Sequence, residues 1–136
     1  MAETNVRERL TSMRDGLLEL HRRLLNSERA AYERDVARIT TTGQYLGLVL
    51  SDPWFAWLRE LSQFIVVVDE RLAAKDKESV GDEEGEALMV RGRQLIVPAE
   101  DGAVFARSYW AAMQRDPGVV LAHGDMLRVF NGIARP

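Results

Sequence analysis

The chain has 136 residues, of which 46% are hydrophobic and 29% are charged, a balance that predicts a folded domain with one core. Its formal charge of −3 provides no overall attraction to nucleic acid or anionic lipid, so we expect neither nucleic acid nor a membrane as a partner. The absence of cysteine excludes disulfides. No secretory signal follows Met1, and no apolar run is long enough to span a bilayer. We therefore expect a single cytoplasmic domain over residues 1–136.

A long amphipathic helix is predicted at the start of the chain. Its apolar positions recur at steps of four and three, at Val6, Leu10, Met13, Leu17, Leu20 and Leu24. Thr4 or Asn5 can cap its N-terminus, and the threonines and glycine at 40–43 end it. A helix over residues 5–39 would be about 50 Å long, with a kink expected at residues 26–27.

A second helix is predicted after a short apolar segment. Residues 44–51 fit either two helical turns or a buried strand, because periodicity cannot separate the two at this length. Asp52-Pro53 then indicates a helix start, since aspartate caps the N-terminus and proline fits the first helical position. This helix extends to Leu72, and its nearly continuous apolar surface predicts a central position in the bundle.

The rest of the chain predicts a charged connection followed by up to three more helices. Residues 75–86 are charged and contain glycines, which is typical of a mobile loop. Helices are expected near residues 82–96 and 101–114, and from the second Asp-Pro pair to Gly132. The fold class is therefore all-α, a compact bundle of four to five helices with a long N-terminal helix.

Three stretches of the chain carry a resemblance to other proteins. DPWFAWLR at 52–59, IVVVDE at 65–70 and QRDP at 114–117 resemble a family of small uncharacterised bacterial helical proteins, over most of the chain. The resemblance implies a bacterial origin and a compact helical fold. The family has no assigned activity, so it implies no functional residue in this sequence.

The sequence contains no motif for catalysis or for metal binding. Neither His21 nor His123 follows an acidic residue by three positions, the spacing used in di-iron bundles, and we expect no metal and no cofactor. No nucleophile elbow and no phosphate-binding glycine loop are present. An enzyme that uses Asp69, His21 or His123 as acid–base groups is therefore the least supported class of function.

Two charged or polar positions are still candidates for a ligand site. Asp69 follows the apolar run and, if it is partly buried, needs a donor such as His21 or an arginine of the first helix. Asp69 then forms either a salt bridge within the bundle or the anchor of a ligand pocket. His123 lies on the apolar side of the last helix, where a hydrogen-bonded core histidine is expected.

Aromatic residues around the first Asp-Pro pair are candidates for an interaction site. Trp54 and Trp57 are expected on one side of a helix, with Tyr45 packed near them. They form either part of the core or an exposed patch that marks a partner surface.

These features favour a non-enzymatic interaction or structural protein that self-associates or binds a protein partner. A homodimer that buries the long first helix or the tryptophan patch is the first hypothesis. The alternative is a helical bundle that binds a small molecule in an apolar pocket anchored by Asp69 or His123.

Overall fold

Residues 5–132 are described by a computed structural model, in which they form six α-helices and no strand. The helices are α1 (Val6–Asp35), α2 (Thr42–Ser51), α3 (Arg59–Ala73), α4 (Asp82–Leu95), α5 (Val104–Arg115) and α6 (Pro117–Phe130). The all-α prediction is confirmed, but the helices outnumber the expected four to five. The additional helix is α2, because the short segment before Asp52 forms its own helix and not a buried strand.

α1 is the central helix of the bundle and contacts α3, α4, α5 and α6. All six residues of its predicted apolar stripe are buried. Asn5 caps the helix by accepting a hydrogen bond from the Glu8 amide at 2.8 Å, and Thr4 lies outside the described residues. The helix continues through residues 26–27 and ends at Asp35, so its 30 residues are about 45 Å long.

The prediction that the second long helix occupies the centre is wrong. Val66 of α3 is exposed, so the apolar run in this helix is not covered on all sides. α1 occupies the centre because small residues on it and on its neighbours allow close approach. Met126 of α6 fills the space where a Cβ on Gly16 would lie, and Val6 does the same at Gly85 of α4.

The two Asp-Pro pairs have different structural outcomes. Asp116 accepts a hydrogen bond from the Gly118 amide at 2.8 Å, and α6 begins at Pro117 as predicted. Asp52 accepts a similar bond from the Trp54 amide, but a turn and a 3₁₀ helix (Ala56–Leu58) follow, and α3 begins only at Arg59. Trp54 and Trp57 would share one side of a regular helix, but here they pack against different rings, Tyr32 and Phe105.

The charged connection before α4 is held to the bundle at several points. It contains a 3₁₀ helix at Asp76–Glu78, and Val80 is buried in the core. Arg71 of α3 donates hydrogen bonds to the Glu78 carbonyl oxygen and to both carboxylate oxygens of Glu84, at 2.7–2.9 Å.

Candidate functional site

α2 presents an apolar face to solvent. Its inner side chains, Tyr45, Leu48 and Val49, are half-buried. Leu46 and Leu50 point the other way and are 55% and 73% exposed. Gly43 and Gly47 lie on the same outer side, as positions 43, 46, 47 and 50 recur at helical spacing. We call these four residues the outer face of α2.

The outer face belongs to a helix that is capped at its N-terminus and hydrogen-bonded to Arg59 near its C-terminus. The Thr41 hydroxyl accepts a hydrogen bond from the Gln44 amide at 3.0 Å and caps the N-terminus. At the other end, Arg59 donates to the Leu50 carbonyl oxygen at 3.1 Å. A ten-residue helix would be marginal in isolation, so these contacts and the packing of its inner side stabilise α2.

Aromatic side chains connect α2 to the C-terminal half of α1. The Tyr45 ring lies edge-on to Phe55 at 6.1 Å between centroids, and the Arg29 guanidinium lies 4.5 Å from the Tyr45 ring centre. Tyr32 bridges the group, with Trp54 and Phe55 at 5.7 and 5.8 Å. Burial raises the pKa of the Tyr45 hydroxyl above its ordinary value.

Trp57 does not belong to this cluster. Its ring packs edge-on against Phe105 at 5.4 Å, on the side of the main core. The expectation that Trp54 and Trp57 share one side of a helix is wrong, because Trp54 precedes the 3₁₀ helix and lies in a turn. Both tryptophans are half-buried, and each packs edge-on against another ring.

An ion pair that the sequence patterns did not predict links α1 to α5. Arg115 donates to a carboxylate oxygen of Glu28 at 2.5 Å and to the Ser27 hydroxyl at 3.1 Å. Glu28 and Ser27 are buried, and the Glu28 carbonyl oxygen also accepts a bond from the Trp54 indole at 3.3 Å. Glu28 follows Leu24 by four positions and therefore continues the apolar stripe of α1. A carboxylate at a stripe position was the sequence signal that could have indicated a buried ion pair.

An apolar groove lies beside this ion pair, where α5 meets α6. Its volume is about 440 Å³, and it is lined by Met113, Gln114, Arg115, Pro117, Val120 and Leu121. We call it the α5–α6 groove. Leu121 at its edge is 71% exposed, second only to Leu50 among the large apolar side chains that the structure describes as exposed. Glu28 connects the two regions, because its carbonyl binds Trp54 near α2 and its carboxylate binds Arg115 in the groove.

The structure gives Asp69 and the two histidines separate surroundings. Arg14 of α1 donates to Asp69 at 3.1 Å, and the Asp69 side chain is about half exposed. The Tyr109 hydroxyl and His123 Nδ1 are hydrogen-bonded at 2.5 Å, with Tyr109 fully buried. His21 is half-buried, and burial lowers the pKa of both histidines below their ordinary value. No hydrogen bond joins Asp69, His21 and His123 to one another in the part of the chain described.

The described residues contain neither a cluster of metal ligands nor a helix suited to span a membrane. Within residues 5–132, no three His, Asp or Glu side chains lie close enough together to hold a metal ion. Among the helices described, none combines the length and the apolar character needed to cross a bilayer.

No protein-family model, no curated protein and no solved structure matches this chain. The resemblance to a bacterial helical family, and the origin and location expected from the sequence, therefore stay predictions.

Proposed function

We propose that this protein is a self-associating interaction module whose contact surface includes the outer face of α2. The observation that carries the proposal is the exposure of Leu46 and Leu50 on an anchored helix. Exposed apolar surface on a positioned element is typical of protein–protein contacts.

The proposed contact surface differs from the long first helix and the tryptophan patch that the sequence suggested. The apolar stripe of α1 packs against the other helices of the same chain, so it is not available to a second copy. Trp54 and Trp57 are half-buried in separate aromatic groups. The outer face of α2 carries Leu50, which at 73% is the most exposed large apolar side chain in the part of the chain that the structure describes.

Charge supports a second copy of the chain as the partner. No acidic or basic residue occurs between Arg38 and Asp52, so the α2 segment has no charge of its own, although Arg59 and Arg29 pack against it. Two copies that each carry a net negative charge repel less where they meet through a segment without acidic residues. A two-fold dimer also needs only one surface that complements itself.

The free energy available from these two leucines is modest. Burying a fully exposed leucine side chain is worth about 1.5–3 kcal/mol, so Leu46 and Leu50 supply about 1–2 kcal/mol each at their observed exposures. Two copies together would gain about 4–8 kcal/mol. Association costs at least about 4 kcal/mol, so a stable dimer needs apolar surface beyond α2.

The oligomeric state in solution tests the proposal. Sedimentation velocity of the wild-type chain across a concentration series is expected to show a monomer–dimer equilibrium. Leu50→Lys places a charge on the outer face and should reduce the association constant at least 100-fold, while the lysine suits the C-terminal turn of α2. Val66→Lys, at an exposed valine of α3, is the matched control and should leave association unchanged.

Each outcome separates the proposal from its competitors. A wild-type chain that stays monomeric at all concentrations would contradict self-association. A dimer that Leu50→Lys and Val66→Lys weaken equally would show that α2 is not the contact. Circular dichroism of each variant establishes that the helical fold is retained.

The small-molecule alternative has less support. Asp69, the anchor it would use, is half exposed and paired with Arg14. The α5–α6 groove is not lined by Asp69, His21 or His123, nor is a smaller depression of 220 Å³ beside the Arg9–Glu86 ion pair.

A further inference from the structure

We infer that the hydrogen bond between Tyr109 and His123 is a proton-controlled latch between α5 and α6. Neutral His123 holds the two helices together. When His123 binds a proton, its ring turns toward water, releases Tyr109 and loosens α5 from α6. The latch lies within one chain, so the inference does not depend on the proposed self-association.

The latch satisfies both of its partners in only one arrangement of protons. Tyr109 is fully buried, and within residues 5–132 its hydroxyl has one hydrogen-bond partner, His123 Nδ1 at 2.5 Å. Burial raises the pKa of the Tyr109 hydroxyl, so this group keeps its hydrogen and must donate it. His123 Nδ1 then has to accept, which places the hydrogen of the neutral imidazole on Nε2.

A second proton on the imidazole removes the acceptor on which the latch depends. The new Nδ1–H can donate to the hydroxyl oxygen, but the hydroxyl hydrogen then has no acceptor inside the core. Burial also disfavours the charged ring, which lowers the pKa of His123. His123 is half-buried whereas Tyr109 is fully buried, so the histidine is the partner that can reach water.

The charged groups on the helices packed against α6 are already paired. Those that face α6 from α1, α4 and α5 are Arg9, Glu19, Arg23, Glu86, Arg93 and Arg115. The pKa of Glu19 is about 2, because Arg22 and Arg23 donate hydrogen bonds to its carboxylate, so it stays charged wherever a histidine titrates. His21 of α1 is half-buried and titrates in the same range as His123, so a test of the latch has to replace it.

The latch lies one helical turn from the α5–α6 groove. Met113 follows Tyr109 by four positions, Val120 precedes His123 by three, and both Met113 and Val120 line the groove. α5 and α6 form a hairpin whose corner is Asp116. Release of the latch therefore lets the hairpin open on the side away from its corner and widens the groove at acidic pH.

Nuclear magnetic resonance of the imidazole tests the arrangement of protons. In a His21→Gln chain His123 is the only histidine, and we expect the Nε2–H tautomer when it is neutral. Tyr109→Phe should raise the pKa of His123 toward its ordinary value, because a charged ring that turns to water then leaves no unpaired hydroxyl behind. Tyr45→Phe, in the separate aromatic cluster beside α2, is the matched control and should leave that pKa unchanged. The Nδ1–H tautomer, or a pKa that Tyr109→Phe leaves unchanged or lowers, would overturn the inference.

Hydrogen exchange in the same His21→Gln chain measures the opening itself. One bound proton changes an equilibrium by up to about tenfold per pH unit, so from pH 7.5 to pH 5.5 protection of the α5 amides should fall about threefold more than that of α3. His123→Asn keeps an acceptor near the position of Nδ1 but cannot bind a proton, and it should remove this difference. Tyr109→Phe should lower protection of α5 already at pH 7.5 and weaken its dependence on pH.

Three results of the exchange experiment would contradict the latch. An equal fall in all helices would indicate a loss of global stability, and a fall in α5 that persists in His123→Asn would assign it to another group. A fall that disappears when Leu50→Lys is added would assign it to association between chains. The same fall in the Leu50→Lys chain would support a latch within one chain, whatever the oligomeric state.

Discussion

The Glu28–Arg115 pair predicts an asymmetric loss of stability when either partner is replaced. The Glu28 side chain is 7% exposed, whereas that of Arg115 is 28% exposed and can reach water. Arg115→Met keeps most of the arginine stem but leaves a buried carboxylate without its partner. Breaking a buried pair in this way costs roughly 3–5 kcal/mol, and we expect about 3 kcal/mol because Arg115 is partly solvated.

Glu28→Gln should cost less. Its amide oxygen can still accept from Arg115, and the guanidinium can turn to water, so we expect about 1 kcal/mol. The double variant should cost clearly less than the sum of the two single variants, because the residues interact directly.

Urea denaturation followed by circular dichroism measures these free energies of unfolding. All variants should be made in the Leu50→Lys background, so that association does not add to the stability of the folded state. Arg34→Met is the control, since Arg34 forms an exposed ion pair with Asp35 and its loss should not change the midpoint measurably. The reasoning is refuted if Glu28→Gln costs as much as Arg115→Met, or if Arg115→Met behaves like the control.

Two further predictions concern stability. Gly16→Ala should lower the unfolding free energy by about 1–2 kcal/mol although alanine favours helix, because a buried methionine of α6 occupies the space of the new methyl group. Gly124→Ala, where no atom occupies that space, should raise the unfolding free energy by up to about 1 kcal/mol. Equal effects of the two substitutions in urea denaturation would contradict this prediction. Burial lowers the pKa of His21 and His123 in the folded chain. The unfolded chain therefore binds more protons than the folded chain as pH falls through about 6.5, and stability that is present above that pH is lost below it. The urea midpoint should therefore be lower at pH 5.5 than at pH 7.5, with a smaller drop in His123→Gln; an unchanged drop would show that His123 does not contribute.

Local signals in the sequence were sufficient to predict most of the helices. The stripe from Val6 to Leu24 identified α1 and its buried side, because helical periodicity places those residues on one face whatever they pack against. Asp116-Pro117 identified the start of α6, because a cap depends only on residues within the next turn. The same local signal at Asp52-Pro53 was overridden, since Trp54 and Trp57, which a helix would place on one side, pack against different rings.

The candidate contact surface depended on contacts between distant parts of the chain. Glu28 and Arg115 are 87 positions apart, and nothing in either neighbourhood specifies that they meet. From the sequence, the apolar residues of α2 predict a buried segment. Only the packing of the whole bundle shows that Leu46 and Leu50 stay exposed. Periodicity determines which side of a helix is apolar, whereas the register between helices decides which apolar sides are covered and which stay open to a partner.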